Sequence, residues 1–274
     1  MNRAPLHPMR QIAAVALAAL LAGCAAGGTN LSAVPELRPG VPAGYLAAEA
    51  RPDSLKLLPT PPAQGSAALA MDEDAARQAG TLRGSPRWQL ASDDAVLKFP
   101  QAATAFSCAL GVPVSEKDTP YLYMLLRRSL VDAGLSTYGA KNRYQRTRPF
   151  VANKTQMCTP AESAHLEKDG SYPSGHSAIG WAWALILAEV EPERANDILA
   201  RGRAFGQSRV VCNVHWQSDV NEGRMMAAAT VARLHADPVF RADLEKARQE
   251  VAAVRASGAR PARDCQAETA ALAP

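Results

Sequence analysis

Gly170–Val190 reads GSYPSGHSAIGWAWALILAEV. Ser174 is a strong helix N-cap, and Ala178–Ala188 runs apolar for eleven residues before Glu189. That is short of the roughly 20 residues a bilayer core requires. The segment therefore predicts a buried helix in a soluble body, with Trp181 and Trp183 packed in the core. Helical punctuation continues outward from it. Downstream come Pro192–Gly206, Val214–His235 and Pro238–Val254, with both prolines at helix starts, where a missing N–H is tolerated. Upstream, Asp72–Ala79, Ala91–Phe99 and Thr119–Ala133 carry apolar residues three and four apart. Alternating Val-, Ile- and Thr-rich runs are nearly absent, so the expected fold class is all-α. One helical domain of roughly eight helices is expected over residues 66–260, with a loose tail over 261–274. Residues 24–65 are rich in Pro, Ala and Gly and lack a sustained period, which reads as a tether and extended arm.

Composition sets outer limits. With 274 residues, 47% hydrophobic, the chain has room for one large domain or two small ones and a real core. Lys+Arg 30 against Asp+Glu 26 gives +4, too near neutrality to argue for nucleic acid. No CxxC pair or HExxH run proposes a metal site. At the N-terminus, Arg3 and Arg10 precede the apolar stretch Ile12–Ala22, the pattern of a secretory signal over residues 1–23. Leu21-Ala22-Gly23-Cys24 resembles a bacterial lipobox, in which Cys24 is lipidated; an ordinary signal peptide with a chance cysteine is the alternative. The expected address is the periplasm, with the outer membrane as the anchoring surface.

Three motifs carry chemistry. In the first, Lys141-Asn142-Arg143-Tyr144-Gln145-Arg146-Thr147-Arg148-Pro149, Lys141 and Arg148 are seven apart and are expected on one helical face, with Pro149 ending the helix. In the second, Tyr172-Pro173-Ser174-Gly175-His176 opens the apolar helix, whose free N–H groups suit an anion and whose Gly175 permits close approach. The third is Ser208-Arg209 followed by His215 and Asp219. These last two are four apart and are expected as a base and its orienting carboxylate. Taken singly these read as a solvated face, a capped helix and a surface ion pair. Together they supply three cations, an anion-binding helix end and two histidines, the parts needed for phosphoryl transfer.

Export makes disulfides admissible for Cys108, Cys158, Cys212 and Cys265. Three pairings exist. Cys158 with Cys212 is favoured because each lies close to a motif that must converge on one site, which leaves Cys108 for Cys265. Free buried thiols are the alternative.

The set Lys-x6-Arg-Pro, Pro-Ser-Gly-His and Ser-Arg-x5-His-x3-Asp resembles the signature of the class A bacterial nonspecific acid phosphatases. Their superfamily also holds type 2 phosphatidic acid phosphatases and vanadium haloperoxidases. The likeness extends over about residues 54–247. It implies a single-domain helical bundle of the acid phosphatase/vanadium haloperoxidase type. It also implies broad, metal-independent hydrolysis of phosphate monoesters at acidic pH, with no cofactor. His215 would attack phosphorus and His176 would serve as acid and then base, while Asp219 orients His215. Lys141, Arg148, Ser174, Gly175 and Arg209 would hold the phosphate. The implied partners are small-molecule phosphomonoesters and, through Cys24, a membrane; homo-oligomerisation is left open. The alternative activity is a lipid phosphate phosphatase, set against it by the want of membrane-spanning helices. A haloperoxidase would be a much longer chain. Arg143, Arg146 and Arg203 are read as solvated or salt-bridged, and His165 and His235 as surface residues.

Overall fold

A computed structural model describes Met1 and residues 28–273; the apolar part of the signal segment and Cys24 lie outside the described residues. A small antiparallel hairpin, β1 (Glu36–Arg38) with β2 (Val41–Pro42), comes first and pairs Arg38 with Val41. The helices follow as α1 (Ser54–Leu57), α2 (Ala67–Gly80), α3 (Pro86–Asp93), α4 (Ser107–Leu110), α5 (Pro120–Ser136) and α6 (Tyr138–Tyr144). Next come α7 (Pro149–Ala152), α8 (Ser163–Leu166), α9 (Gly175–Val190), α10 (Ala195–Val211), α11 (Gln217–Leu234), α12 (Pro238–Ala256) and α13 (Cys265–Leu272). The all-α expectation holds apart from the hairpin.

The most apolar helix is also the central one. Ala178, Ala182, Ala184 and Leu187 of α9 are fully buried, as a helix apolar on every side must be. It is flanked by α5, α10 and α11. Trp183 anchors an aromatic cluster, 6.3 Å from Phe106 and 6.1 Å from Phe205 between ring centres, and its indole N–H donates to the Leu126 carbonyl at 3.0 Å. Each such ring, once buried, contributes about 1.5–3 kcal/mol of transfer free energy. The helix expected at Ala91–Phe99 lies instead at Pro86–Asp93, because Ser85 accepts from the Trp88 N–H at 3.3 Å and Pro86 fills the first turn.

Two segments expected to hang free are docked. In the arm, Asp132 of α5 accepts from the Tyr45 and Leu46 N–H groups at 2.7 and 3.2 Å. Asp243 of α12 accepts from the Thr29 N–H at 2.6 Å and the Tyr45 hydroxyl at 2.8 Å. Arg128 stacks on the Tyr45 ring at 3.7 Å. Two buried carboxylates need donors, and a chain without periodic structure has backbone N–H groups to spare. At the other end, α13 is stapled by the Cys108–Cys265 disulfide, and its Glu268 pairs with buried Arg201 at 3.3 Å. The expected loose tail thus gives way to a helix that supplies a counter-ion to a buried cation.

Candidate active site

Four segments meet at a cavity of about 230 Å³ lined by Lys141, Arg148, Gly175, His176, Arg209 and His215. Lys141 comes from α6, which stops at Gln145 in the left-handed region, φ 43°. The chain then runs extended to Arg148, φ −74° and ψ 152°, as Pro149 requires. The expectation of one helical face for Lys141 and Arg148 is therefore corrected: they converge across a helix end.

The α10–α11 connection delivers His215. It turns at Asn213, φ 63°, whose side-chain amide donates to Thr155 Oγ1 at 2.9 Å and to the Gln156 carbonyl at 3.1 Å. The Cys158–Cys212 disulfide, with the Cys158 N–H donating to the Cys212 carbonyl at 3.1 Å, ties the same turn to the loop after α7. His215 lies just before α11, so the expectation that it shares a helical face with Asp219 is also corrected. The helix start still brings them together. Asp219 accepts from the Trp216 N–H at 2.8 Å and lies 3.4 Å from His215 Nδ1. Gly223, one turn on, lets α11 approach α9: a Cβ there would fall 2.5 Å from the Ser174 carbonyl.

Hydrogen bonds set the tautomers. Arg148 Nη1 donates to His215 Nε2 at 3.0 Å, so Nε2 carries the lone pair and Nδ1 the proton that faces Asp219. His176 Nε2 lies 2.9 Å from the Ala95 carbonyl and donates to it, which leaves Nδ1 as the ring's remaining nitrogen. Burial, and then the nearby cations, push both rings well below the ordinary histidine value; for His176 the first cation is Arg209, for His215 Arg148. Burial pushes Asp219 up, opposed by the Arg146 guanidinium at 2.6 Å. Lys141 is lowered to about 8 by burial and then by Arg148. Arg209 is lowered to about 10 by the same two causes.

Arg209 is 1% exposed, and its Nε and Nη1 have no hydrogen-bond acceptor. Such donors, lining a cavity, suit an anion with several oxygens. Ser174 is buried at the start of α9, and its hydroxyl oxygen caps the helix by accepting from the Ser177 N–H at 3.2 Å and from the Ser177 hydroxyl at 2.9 Å, which leaves its own proton to donate. Among the described residues no cluster of His, Cys, Asp or Glu could hold a metal ion, and no helix is long and apolar enough to cross a membrane.

Of the two roles expected for Arg146, the salt-bridged one holds: its side chain, 10% exposed, pairs with Asp219 at 2.6 Å and with Asp72 of α2 at 2.8 Å. Its position between Lys141 and Arg148 was the available signal, but nothing local indicates Asp72. His165 and Glu162, though exposed, reach the cavity rim. Asp169 contacts Lys141 and Arg148, and an acid one residue before the Gly-Ser-Tyr-Pro-Ser-Gly-His run was a visible cue.

Comparison with known proteins agrees with this geometry. Residues 119–242 match the PAP2 superfamily. The chain is similar to a non-specific acid phosphatase of Providencia stuartii, 46% identical over 204 residues that cover 74% of this chain and 82% of the relative. It is similar to a non-specific acid phosphatase of Salmonella typhimurium, 43% identical over 195 residues, covering 71% and 78%. An acid phosphatase of Zymomonas mobilis is 43% identical over 209 residues, covering 76% and 79%. With the cations and histidines gathered at one cavity and Asp219 buried behind His215, and with relatives at this level of identity over most of their length, the chain belongs to the bacterial acid phosphatases of the PAP2 superfamily.

Proposed function

We propose that this acid phosphatase hydrolyses a broad range of phosphate monoesters in the cell envelope, without a metal, through a phosphohistidine on His215. The observation that carries the reading is the pairing of an unprotonated His215 Nε2 with the unsatisfied Arg209 donors on one cavity. Nε2 attacks phosphorus as the bond to the leaving oxygen breaks. That oxygen takes a proton from His176, the acid on the cavity. Water then attacks the phosphoryl group and gives a proton to His176, and the P–N electron pair returns to Nε2. Asp219 stabilises the charged ring of the intermediate. Lys141, Arg148 and Arg209 neutralise the phosphoryl oxygens, with backbone N–H groups at Gly175 and His176, the first residues of α9, helping. For Arg148 this means exchanging its bond to Nε2 for one to phosphate. A clamp that grips only the group shared by all monoesters accounts for broad specificity. Residues 1–23 would direct export, and Cys24 would be the lipid anchor.

The test is hydrolysis of a chromogenic aryl phosphate in excess chelator by wild type and His215→Ala. The expected loss in the variant is at least about three orders of magnitude in kcat. Turnover that the chelator abolishes, or that survives the substitution, would reject the scheme.

A further inference from the structure

Arg148 is unusually well occupied. Its Nε donates to the Leu166 and Asp169 carbonyls, both at 2.9 Å. Nη1 donates to the Val214 carbonyl at 2.9 Å and to His215, while Nη2 donates to the Asp169 carboxylate at 2.9 Å. Lys141 Nζ donates to the Gly170 carbonyl at 2.5 Å and lies 3.4 Å from the same Asp169 Oδ2. Both cations are nearly buried, with side chains 4% and 2% exposed, and they would repel each other in that setting. Asp169 is the one carboxylate paired with either of them among the described residues.

We propose that Asp169 is a positioning residue of the phosphate clamp, its carboxylate bridging Lys141 Nζ and Arg148 Nη2 so that both cations stay side by side on the cavity wall. The inference rests on the phosphatase reading and deepens it. Asp169 touches no reacting atom; it acts through the two cations. Its side chain is 24% exposed and itself lines the cavity, where it offsets the repulsion between the two cations. It also favours the charged form of Lys141, against burial and Arg148. The other charged or titratable groups around Lys141 and its cavity are Asp219 from α11, His215, His176 from α9, Arg209 from α10, Tyr138 from its own helix, and Glu162 and His165 at the rim.

The test is calorimetric binding of inorganic phosphate from pH 5.5 to 9.5 by folded wild type, Asp169→Asn and Asp169→Glu. Wild-type affinity should fall as Lys141 loses its proton near 8. In Asp169→Asn, affinity at pH 6 should drop by about tenfold, the size expected for one charge-assisted contact. The fall should also move to lower pH, a change that a merely structural lesion would not produce. Phosphate's own ionisation is common to all three proteins and cancels. Asp169→Glu, with its carboxylate advanced by one methylene, should lie between, and it is the deciding variant should the Asn protein fail to fold. Binding equal to or tighter than wild type in a folded variant, with the fall at an unchanged pH, would overturn the proposal. Failure of wild type to bind phosphate at all would instead reject the phosphatase reading.

Discussion

At the scale of single residues, the cavity sets two histidines, both shifted by burial toward the neutral form, among three cations. The sign of their shifts has a direct consequence. Burial and cations disfavour a charged His176 in the free enzyme, yet the acid step needs its proton. A bound phosphate dianion supplies the missing negative charge and raises His176 again. Activity should therefore exist on the acidic side and disappear as pH rises through the His176 value in the complex. The alkaline limb of kcat, which reports that complex, should lie at higher pH than the limb of kcat/KM, which reports the free enzyme. Full pH profiles on one aryl phosphate would check this. A kcat limb at or below that of kcat/KM would contradict the electrostatic account.

At the scale of elements, the docked arm depends on Asp132, fully buried in α5 and raised to about 6 from 3.8 by burial, although the Tyr45 and Leu46 N–H groups pull the other way. A raised carboxyl favours the folded state while protonated. Its contribution is complete below the unfolded value and is lost as pH rises through about 6. Asp132→Asn, neutral at every pH, should thus look better relative to wild type at pH 7 than at pH 4.5. The expected difference is about 2 kcal/mol at 1.36 kcal/mol per pKa unit, since pH 4.5 already lies above the unfolded value and only part of the shift falls between the two pH values. Urea unfolding of both proteins at the two pH values measures it, and a pH-independent gap would contradict it.

The same contacts explain which elements could be read from sequence. Gly175–Val190 was legible because nearly every turn is apolar and Ser174 marks its start. The arm was not, because Thr29 and Tyr45 find their partners on helices far along the chain, at Asp132 and Asp243. Helix α13 was missed for a similar reason: Cys265 and Glu268 acquire meaning only beside Cys108 and Arg201. Within the site, the residues of the three motifs were legible by type. Their geometry was not, since Pro149 and the left-handed Gln145 and Asn213 replace the expected continuous helices by turns.

At the scale of the whole molecule, Thr29, five residues after Cys24, is bonded to Asp243 of α12. Five extended residues span at most about 18 Å. A lipid on Cys24 would therefore hold the folded body close to the bilayer rather than on a long leash. Cys24→Ala should move the protein from the membrane to the soluble fraction of disrupted cells without changing its turnover. Unchanged fractionation would remove the anchor from the account.

The mechanism turns on transfer of the phosphoryl group to His215 Nε2. Rapid acid-free quenching during turnover of an isotopically labelled monoester, followed by peptide mass spectrometry, tests it most directly. The account predicts an acid-labile, alkali-stable phosphoryl group on the peptide containing His215, present in wild type and absent in His215→Ala. Label on another residue, or a competent His215→Ala enzyme that turns over with no phosphoenzyme, would contradict it.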